Sequence, residues 1–192
     1  MIETERLILR PFTAEDAADV YDYLKAPEVN CFAGMRLDSV EAAKAEIARR
    51  LAEDHGGCYF AVALKESGKV IGEMFAYPER TSPTDDTADT FSPCWMLNRA
   101  YQGKGYALEA ARAFFDYLFT EKRARRLYAY TEDYNLSSQH LCEKLGMRRE
   151  GLFMEFVCFV KDADGNPIYE NTIQYAILKK EWDKQRAEGS SI

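Results

Sequence analysis

One short stretch constrains the fold of this chain more than any other, namely residues 101–107, which read YQGKGYA. An apolar run from Cys94 to Leu97 precedes it and a long amphipathic pattern follows, so we expect it to connect a strand to a helix. Gly103 and Gly105 lack a Cβ, which permits strained backbone angles and lets a ligand approach the main chain. The first amides of the helix are unpaired and lie at the positive end of its dipole. The stretch therefore predicts a site for phosphate groups.

Two familiar phosphate-binding patterns do not describe this stretch. A P-loop has the pattern GxxxxGK[ST], whereas Lys104 is followed by a glycine. A dinucleotide fingerprint has three glycines after the first strand of a βαβ unit. This turn has two glycines and lies in the middle of the chain. A purely structural role, in which the glycines only permit a tight connection, is the alternative at this point.

A second stretch, NLSSQHLCEKLGM from Asn135 to Met147, predicts a short helix with well-defined ends. Asparagine is a favourable N-cap residue, so the helix is expected to begin after Asn135. Gly146 suits the position just beyond the end of a helix. These preferences explain the helix without any function, and it is the spacing of the residues within the stretch that resembles a known family.

Together the two stretches resemble the GNAT N-acetyltransferase superfamily, and within it the Rim-type branch, which is similar to ribosomal-protein N-terminal acetyltransferases. Gln102, Gly105 and Ala107 match the Q/R-x-x-G-x-G/A signature that binds pyrophosphate in that family. The second stretch matches its N-x-x-S…K-L-G-F/M segment. The resemblance extends from Glu5 to Trp182, which is nearly the whole chain.

The resemblance implies that acetyl-CoA is the cosubstrate. The amides of residues 103–108 would hold its pyrophosphate, and the edge of the strand that ends at Leu97 would pair with its pantetheine arm. Asn135 and Ser138 would hydrogen-bond the arm from the other side, and Lys104 is either a phosphate contact or a solvated lysine. The cofactor-binding residues implied in this way are Met96, Leu97, Gln102, Gly103, Lys104, Gly105, Tyr106, Ala107, Asn135 and Ser138.

Hydrophobic patterning along the rest of the chain predicts an α/β fold with a mixed sheet flanked by helices, and the resemblance implies that this sheet is mostly antiparallel. Helices are expected from Thr13, from Asp38 to near Gly56 with Leu51 on the apolar stripe, from the glycine turn, and from Asn135. The expected strands are Glu5 to Phe12, Cys58 to Leu64, Val70 to Tyr77, Phe91 to Asn98, Arg126 to Thr131, Arg148 to Val160 and Thr172 to Leu178.

The order of strand, helix and strand around the glycine turn implies a parallel crossover. By resemblance, the Leu97 strand and the Leu127 strand would splay apart and make room for the cofactor. Val29 to Leu37 is interpreted as a loop that lines a pocket, with a packed connector as the alternative. Glu79 to Asp89 is polar and rich in breakers, which predicts an exposed loop.

Length and composition limit the number of domains, the classes of binding partner and the cellular location that we expect for this chain. Its 192 residues are enough for one domain, expected over residues 1–186 with a frayed tail at 187–192. A formal net charge of −7 argues against general affinity for nucleic acid or anionic membrane. The absence of a leader and of an apolar run of ~18 residues predicts a cytoplasmic protein. A monomer and a homodimer are both compatible with the sequence. The five cysteines are expected to be reduced, and with two histidines no metal site is expected.

Acyl transfer to an amine requires a base for the amine proton and benefits from an acid for the departing CoA thiolate. Glu73 is the first candidate base and Glu155 the second, with a solvent-facing or salt-bridged glutamate as the alternative for both. Many GNAT enzymes use a tyrosine as the acid, and the matching position here is Cys142. Ser138, one turn earlier on the same helix face, is the alternative donor, and a reaction without an acid is the third option.

The acceptor implied by the resemblance is a primary amine, either on a peptide or on a small molecule. A lysine amine with a pKa of about 10.4 is almost entirely protonated at pH 7, whereas an N-terminal amine with a pKa of about 7.7 is neutral roughly one time in six. A protein N-terminus is therefore the first candidate, and a polyamine, amino acid or antibiotic is the second. A module that senses acyl-CoA without turnover is the rival from another class.

Overall fold

The strands form one mixed sheet, and helices pack on both of its faces. The computed structural model describes residues 1–52, 58–81, 84 and 88–189. The strands are β1 (Ile2–Glu3), β2 (Leu7–Arg10), β3 (Tyr59–Leu64), β4 (Val70–Glu79), β5 (Thr90–Leu97), β6 (Arg126–Glu132), β7 (Arg148–Lys161) and β8 (Pro167–Leu178). The helices are α1 (Ala17–Leu24), α2 (Val40–Ala52), α3 (Tyr106–Thr120), α4 (Leu136–Lys144) and α5 (Lys179–Gly189).

The strands of the sheet follow the order β1-β2-β3-β4-β5-β6-β8-β7. Within the described residues, neighbouring strands are antiparallel except for β5 and β6, which run parallel. β4 and β5 pair along eight residues, whereas β5 pairs with β6 only at Thr90 with Arg126 and at Phe91 with Leu127. Beyond these two pairs the strands separate. This arrangement confirms the predicted mixed, mostly antiparallel sheet with a parallel, splayed pair.

Alternate side chains of β3 enter two different apolar clusters. Phe60 lies in one cluster with Phe114 of α3, and their ring centroids are 5.8 Å apart. The next residue, Ala61, lies in a second cluster with Val20 of α1 and Ile47 of α2. Because successive strand residues point to opposite faces, α3 covers one face of the sheet and α1 with α2 covers the other. None of the helices in the described part of the chain is long and apolar enough to cross a membrane.

Helix α5 is an element that the sequence pattern does not predict. It continues to Gly189, whereas the pattern predicts a frayed tail from residue 187, and residues 190–192 lie outside the described residues. Trp182 fixes the position of this helix. Its ring lies 5.7 Å from that of Phe115 and 5.9 Å from that of Phe119 in α3. Its indole N–H donates to Asp116 at 2.7 Å.

Other boundaries differ from those that the sequence predicts. The segment from Val29 to Leu37 contains a 3₁₀ helix, Asn30–Met35, instead of an irregular loop. β4 continues to Glu79, so the predicted loop before β5 starts later, and residues 82–83 and 85–87 of that loop lie outside the described residues. The predicted end of α2 near Gly56 also lies outside them. β8 begins at Pro167, well before the predicted start.

Helix α2 buries Arg50 and leaves Leu51 at the surface, which corrects the predicted apolar stripe. Leu51 is 56% exposed, whereas Arg50 is 3% exposed. Arg50 Nη1 donates to Glu73 Oε2 of β4 at 2.6 Å, and its Nε donates to Glu46 Oε1 at 2.7 Å. With a carboxylate on either side, the guanidinium enters the interior in place of the leucine.

Glu73 lies at the centre of this buried network and has no exposed surface. The hydroxyl of Tyr23 donates to its Oε2 at 2.7 Å, and the hydroxyl of Tyr59 donates to its Oε1 at 3.0 Å. Burial and the nearby carboxylate raise the pKa of both phenols, so they remain donors at neutral pH. The network therefore ties α1 and α2 to the central strands.

Replacing Glu73 by glutamine is expected to lower the free energy of unfolding by about 3–5 kcal/mol, because the buried guanidinium of Arg50 loses its fully buried counter-charge and keeps only the partly exposed Glu46. Urea unfolding followed by circular dichroism measures this loss. The control is Glu188→Gln, which removes a carboxylate that lies 3.9 Å from Lys184 on the exposed side of α5. The control is expected to change the free energy by less than about 0.5 kcal/mol. Equal losses of unfolding free energy in the two variants would contradict a stabilising role for the buried pair of Arg50 and Glu73.

Candidate active site

The separation of β5 and β6 opens a cleft of about 1040 Å³ beside the central strands. Its walls come from β5, the end of β6, the first turns of α3 and α4, the segment between α1 and α2, and part of β7. Among the described strands, the main chain of β5 from Ser92 onward has no partner on the side of β6. Such an edge presents donors and acceptors to an extended ligand that can pair with it.

The cleft brings together most of the residues predicted to bind the cofactor. Those that line it are Met96, Leu97, Gln102, Ala107, Asn135 and Ser138. The others, Gly103, Lys104, Gly105 and Tyr106, form the turn into α3, between two lining residues, and do not line the cleft themselves.

The glycine turn has a left-handed backbone at both of its glycines. The angle φ is 72° at Gly103 and 83° at Gly105, a region that favours residues without a Cβ. Gly105 is the N-cap of α3, and its carbonyl accepts the first intrahelical hydrogen bond, from the amide of Glu109. The amides of residues 106–108 precede that bond and have no acceptor within the helix. A turn of this kind at a helix N-terminus can bind an anion.

Arg6, from the start of the chain, holds this turn in place. Its Nη1 donates to the carbonyl oxygen of Lys104 at 3.0 Å, and its Nε donates to Glu109 Oε2 at 2.6 Å. The guanidinium also lies 4.5 Å from the centroid of the Tyr106 ring. The Lys104 ammonium lies 5.1 Å from the centroid of the Tyr101 ring, and this lysine is exposed.

Asn135 and Ser138 tie the first turn of α4 to the strands on either side of the cleft. Asn135 Oδ1 accepts from the amide of Ser138 at 3.2 Å, which is the predicted N-cap interaction. Its Nδ2 donates to Glu132 Oε2 at 3.1 Å, at the end of β6. Ser138 Oγ accepts from Nε1 of Trp95, on β5, at 3.1 Å. The contacts of α4 therefore reach both strands of the splayed pair.

The residues predicted to be catalytic do not meet at one point. Ser138 lines the cleft, whereas Glu73 and Cys142 do not. Glu73 and Cys142 have no exposed surface, and the carboxylate of Glu73 is engaged by the network described above. Burial raises the pKa of Cys142 to about 12, so its thiol stays protonated at neutral pH. Glu155, the second candidate base, is exposed on β7, has a φ of 48°, and also lies outside the lining of the cleft.

Glu132 is a lining residue that the sequence pattern did not single out. It is 5% exposed and directly follows the predicted strand from Arg126 to Thr131. On a strand, every second side chain lies on the same face, so Glu132 continues the face that carries Tyr128 and Tyr130. Extending the alternation of the predicted strand by one residue, beyond Thr131, places Glu132 on this face, and this is the sequence signal for it.

Comparison with known proteins identifies the family. The sequence model of the Acetyltransferase (GNAT) domain matches residues 6–148 of this chain. The chain is 32% identical over 182 residues to YnaD of Bacillus subtilis (strain 168), an uncharacterized N-acetyltransferase. That match covers 95% of this chain and 99% of YnaD.

Solved structures show the same fold. An acetyltransferase of the GNAT family from Bacillus anthracis has a TM-score of 0.76 and 28% identity, and the match covers 94% of this chain and 99% of that one. A ribosomal-protein-S5-alanine acetyltransferase from Vibrio fischeri has a TM-score of 0.70 and 21% identity, with 94% and 97% of the two chains covered. The chain thus belongs to the GNAT superfamily and is an N-acetyltransferase that acts on an amine.

Proposed function

We propose that acetyl-CoA binds in the cleft, with its pantetheine arm along β5 and its pyrophosphate at the start of α3. The observation that carries this proposal is the separation of β5 from β6 after two residue pairs, which leaves a free strand edge inside a cleft. Main-chain groups of Met96 and Leu97 pair with the amides of the arm, as in strand addition. Asn135 and Ser138 contact the arm from α4. GNAT enzymes use acetyl-CoA as their cosubstrate, which supports the same ligand here.

In this proposal the amides of residues 103–108 bind the pyrophosphate. Gly103 and Gly105 have a left-handed backbone and no Cβ, so a phosphate can approach these amides closely, and the dipole of α3 adds positive charge there. Lys104, exposed on the same turn, contributes a cation to the phosphates. Gln102 supports the turn, because its Nε2 donates to Glu28 Oε2 at 3.2 Å.

Acetyl transfer forms a bond between the acceptor nitrogen and the carbonyl carbon, and it breaks the bond from that carbon to the CoA sulfur. The electron pair of the broken bond leaves on sulfur, which takes up one proton to become the thiol. A protonated primary amine loses two protons in all, one to this sulfur and one to the solvent, and the amide nitrogen of the product keeps one N–H. We assign Ser138 as the donor to the departing sulfur, because its hydroxyl lines the cleft and Trp95 fixes its orientation. No chemical step is assigned to Glu73 or Cys142, because neither lines the cleft.

The acceptor occupies the part of the cleft that the arm leaves open. A volume of about 1040 Å³ is at the upper end of the range for small-ligand pockets, so a small amine or the first residue of a peptide fits beside the arm. Both the N-terminal amine of a peptide and a free small-molecule amine satisfy this requirement.

Gly105→Glu is expected to weaken acetyl-CoA binding at least about tenfold, because it puts a side chain and a negative charge into the anion site. Calorimetric titration of the folded protein with acetyl-CoA measures the dissociation constant. The matched control is Gly165→Glu. Gly165 has a φ of 86°, which imposes a comparable backbone cost, but it lies in the turn between β7 and β8.

Micromolar binding by the native chain and by Gly165→Glu, with a loss confined to a folded Gly105→Glu protein, would support the proposed cofactor site. Equal losses in both variants would assign the effect to backbone strain. A folded native chain that does not bind acetyl-CoA would overturn the proposal.

Ser138→Ala is expected to lower kcat about a hundredfold, the typical contribution of a general acid, while it changes the acetyl-CoA dissociation constant by about tenfold at most. A thiol-release assay with a panel of amines measures kcat. The control is Ser137→Ala, which removes the neighbouring hydroxyl on the same wall of the cleft. A kcat close to native in Ser138→Ala would remove this serine from the proton-transfer step.

A further inference from the structure

Glu132 is a buried carboxylate inside the cleft whose partners are neutral. It lies at the end of β6, is 5% exposed and lines the cleft. Asn135 Nδ2 donates to it at 3.1 Å, and burial together with this carboxylate raises the pKa of the nearby Cys31 thiol, which stays neutral. Removing a carboxylate from water without a cation beside it is costly. A ligand with a positive charge would supply the missing partner.

The other carboxylates that line the cleft already have basic partners. Asp22 Oδ1 lies 2.7 Å from the Lys25 ammonium, and Glu28 Oε1 lies 3.1 Å from Arg99 Nε. In the described part of the lining, Glu132 is therefore the one carboxylate without a basic partner. A ligand with one positive charge could therefore pair with Glu132 without displacing a basic side chain.

An aromatic wall adjoins this carboxylate. Tyr130 lies two positions before Glu132 on β6, so both side chains are on the same face of the sheet. The ring centroids of Tyr130 and Phe156 are 5.6 Å apart, and both residues line the cleft. Tyr130 is 45% exposed and Phe156 is 50% exposed, so their rings are available to a ligand. Aromatic faces attract cations and bury the carbon atoms next to them.

The carboxylate is also connected to the proposed cofactor site. Asn135 donates to Glu132 through Nδ2 and accepts from the amide of Ser138 through Oδ1. One asparagine therefore fixes both the carboxylate and the helix turn that carries the proposed proton donor. A cation held by Glu132 would therefore be separated from the proposed proton donor, Ser138, by Asn135 alone.

We propose that Glu132 binds the ammonium group of the acceptor, and that Tyr130 and Phe156 contact the apolar group attached to it. This inference rests on the proposed function, because the acceptor site adjoins the acetyl-CoA site. The acceptor class is a primary amine with one positive charge and an apolar body, either a phenylalkylamine or a peptide N-terminus with an apolar first residue. A polyamine is a poor fit, because its further ammonium groups meet no unpaired carboxylate in the described lining.

Steady-state acetylation of phenethylamine, phenylalanine amide and spermidine, at saturating acetyl-CoA, tests this inference. The native chain is expected to have a higher kcat/KM for the two monoamines than for spermidine. Glu132→Gln is expected to raise KM for the monoamines at least about tenfold, because a charged hydrogen bond is lost. Its dissociation constant for acetyl-CoA, measured by calorimetry, is expected to stay within about threefold of native.

The matched control is Glu170→Gln. Glu170 is also a buried carboxylate with neutral partners, since it is 7% exposed and accepts from Asn30 Nδ2 at 2.5 Å and from Tyr134 at 3.0 Å. It does not line the cleft. Its replacement is expected to leave KM for the monoamines within about threefold of native. An equal rise in both variants would indicate a general effect of net charge and would overturn the assignment of Glu132.

Tyr130→Ala provides a second test at a partly exposed position that does not threaten folding. Loss of the aromatic wall is expected to raise KM more for phenethylamine than for methylamine, which has no apolar body to bury. Failure of the native chain to acetylate either monoamine while it binds acetyl-CoA would overturn the acceptor class alone. Failure to bind acetyl-CoA would overturn the proposed function instead, so the two failures are distinguishable.

Discussion

The brief parallel contact between β5 and β6 is the constraint on which the rest of the site depends. It consists of two residue pairs, after which β5 remains with β4 and β6 remains with β8. Main-chain groups at such a division need hydrogen-bond partners, so the gap between the strands has to admit water or a ligand. Helix α4 borders the gap, because Asn135 binds Glu132 of β6 while Ser138 accepts from Trp95 of β5. The cleft is therefore a consequence of how one sheet divides.

Glu73 and Glu132 show how the surroundings of a carboxylate decide what it can do. Both are buried, but Glu73 has a guanidinium at 2.6 Å and two phenols as donors. Its charge is balanced inside the protein, and the balance joins two helices to the sheet. Glu132 has an amide and a thiol beside it and faces a cleft. In the proposal above, the ammonium group of the acceptor supplies the positive charge that Glu132 lacks.

The parts of the fold that the sequence predicted are those that depend on local chemistry. The glycine turn, the asparagine N-cap and the order of strand, helix and strand follow from neighbouring residues, and they were enough to predict the elements around the cleft. The splay of the parallel pair was predicted from the resemblance to the GNAT family. The parts that escaped depend on distant contacts. Arg50 enters the core because Glu73 lies opposite it, and α5 is held by the contact of Trp182 with Asp116, 66 residues earlier. Neither partner is visible from the periodicity of the segment itself, so the surroundings of Glu73 could be found only in three dimensions. For Glu132 the strand alternation indicates the face, but its partners Asn135 and Cys31 follow only from the fold.

The contact of Arg6 with the glycine turn bears on when the site forms as well as on its shape. Arg6 and Glu109 are 103 residues apart in the chain, and the guanidinium holds both that carboxylate and the carbonyl oxygen of Lys104. Contacts between such distant residues form late in folding, because the intervening loop must close first. We therefore expect the glycine turn to reach its final conformation only after Arg6 has packed against the start of α3. If the turn binds phosphate as proposed, that binding is a measure of the last stages of folding.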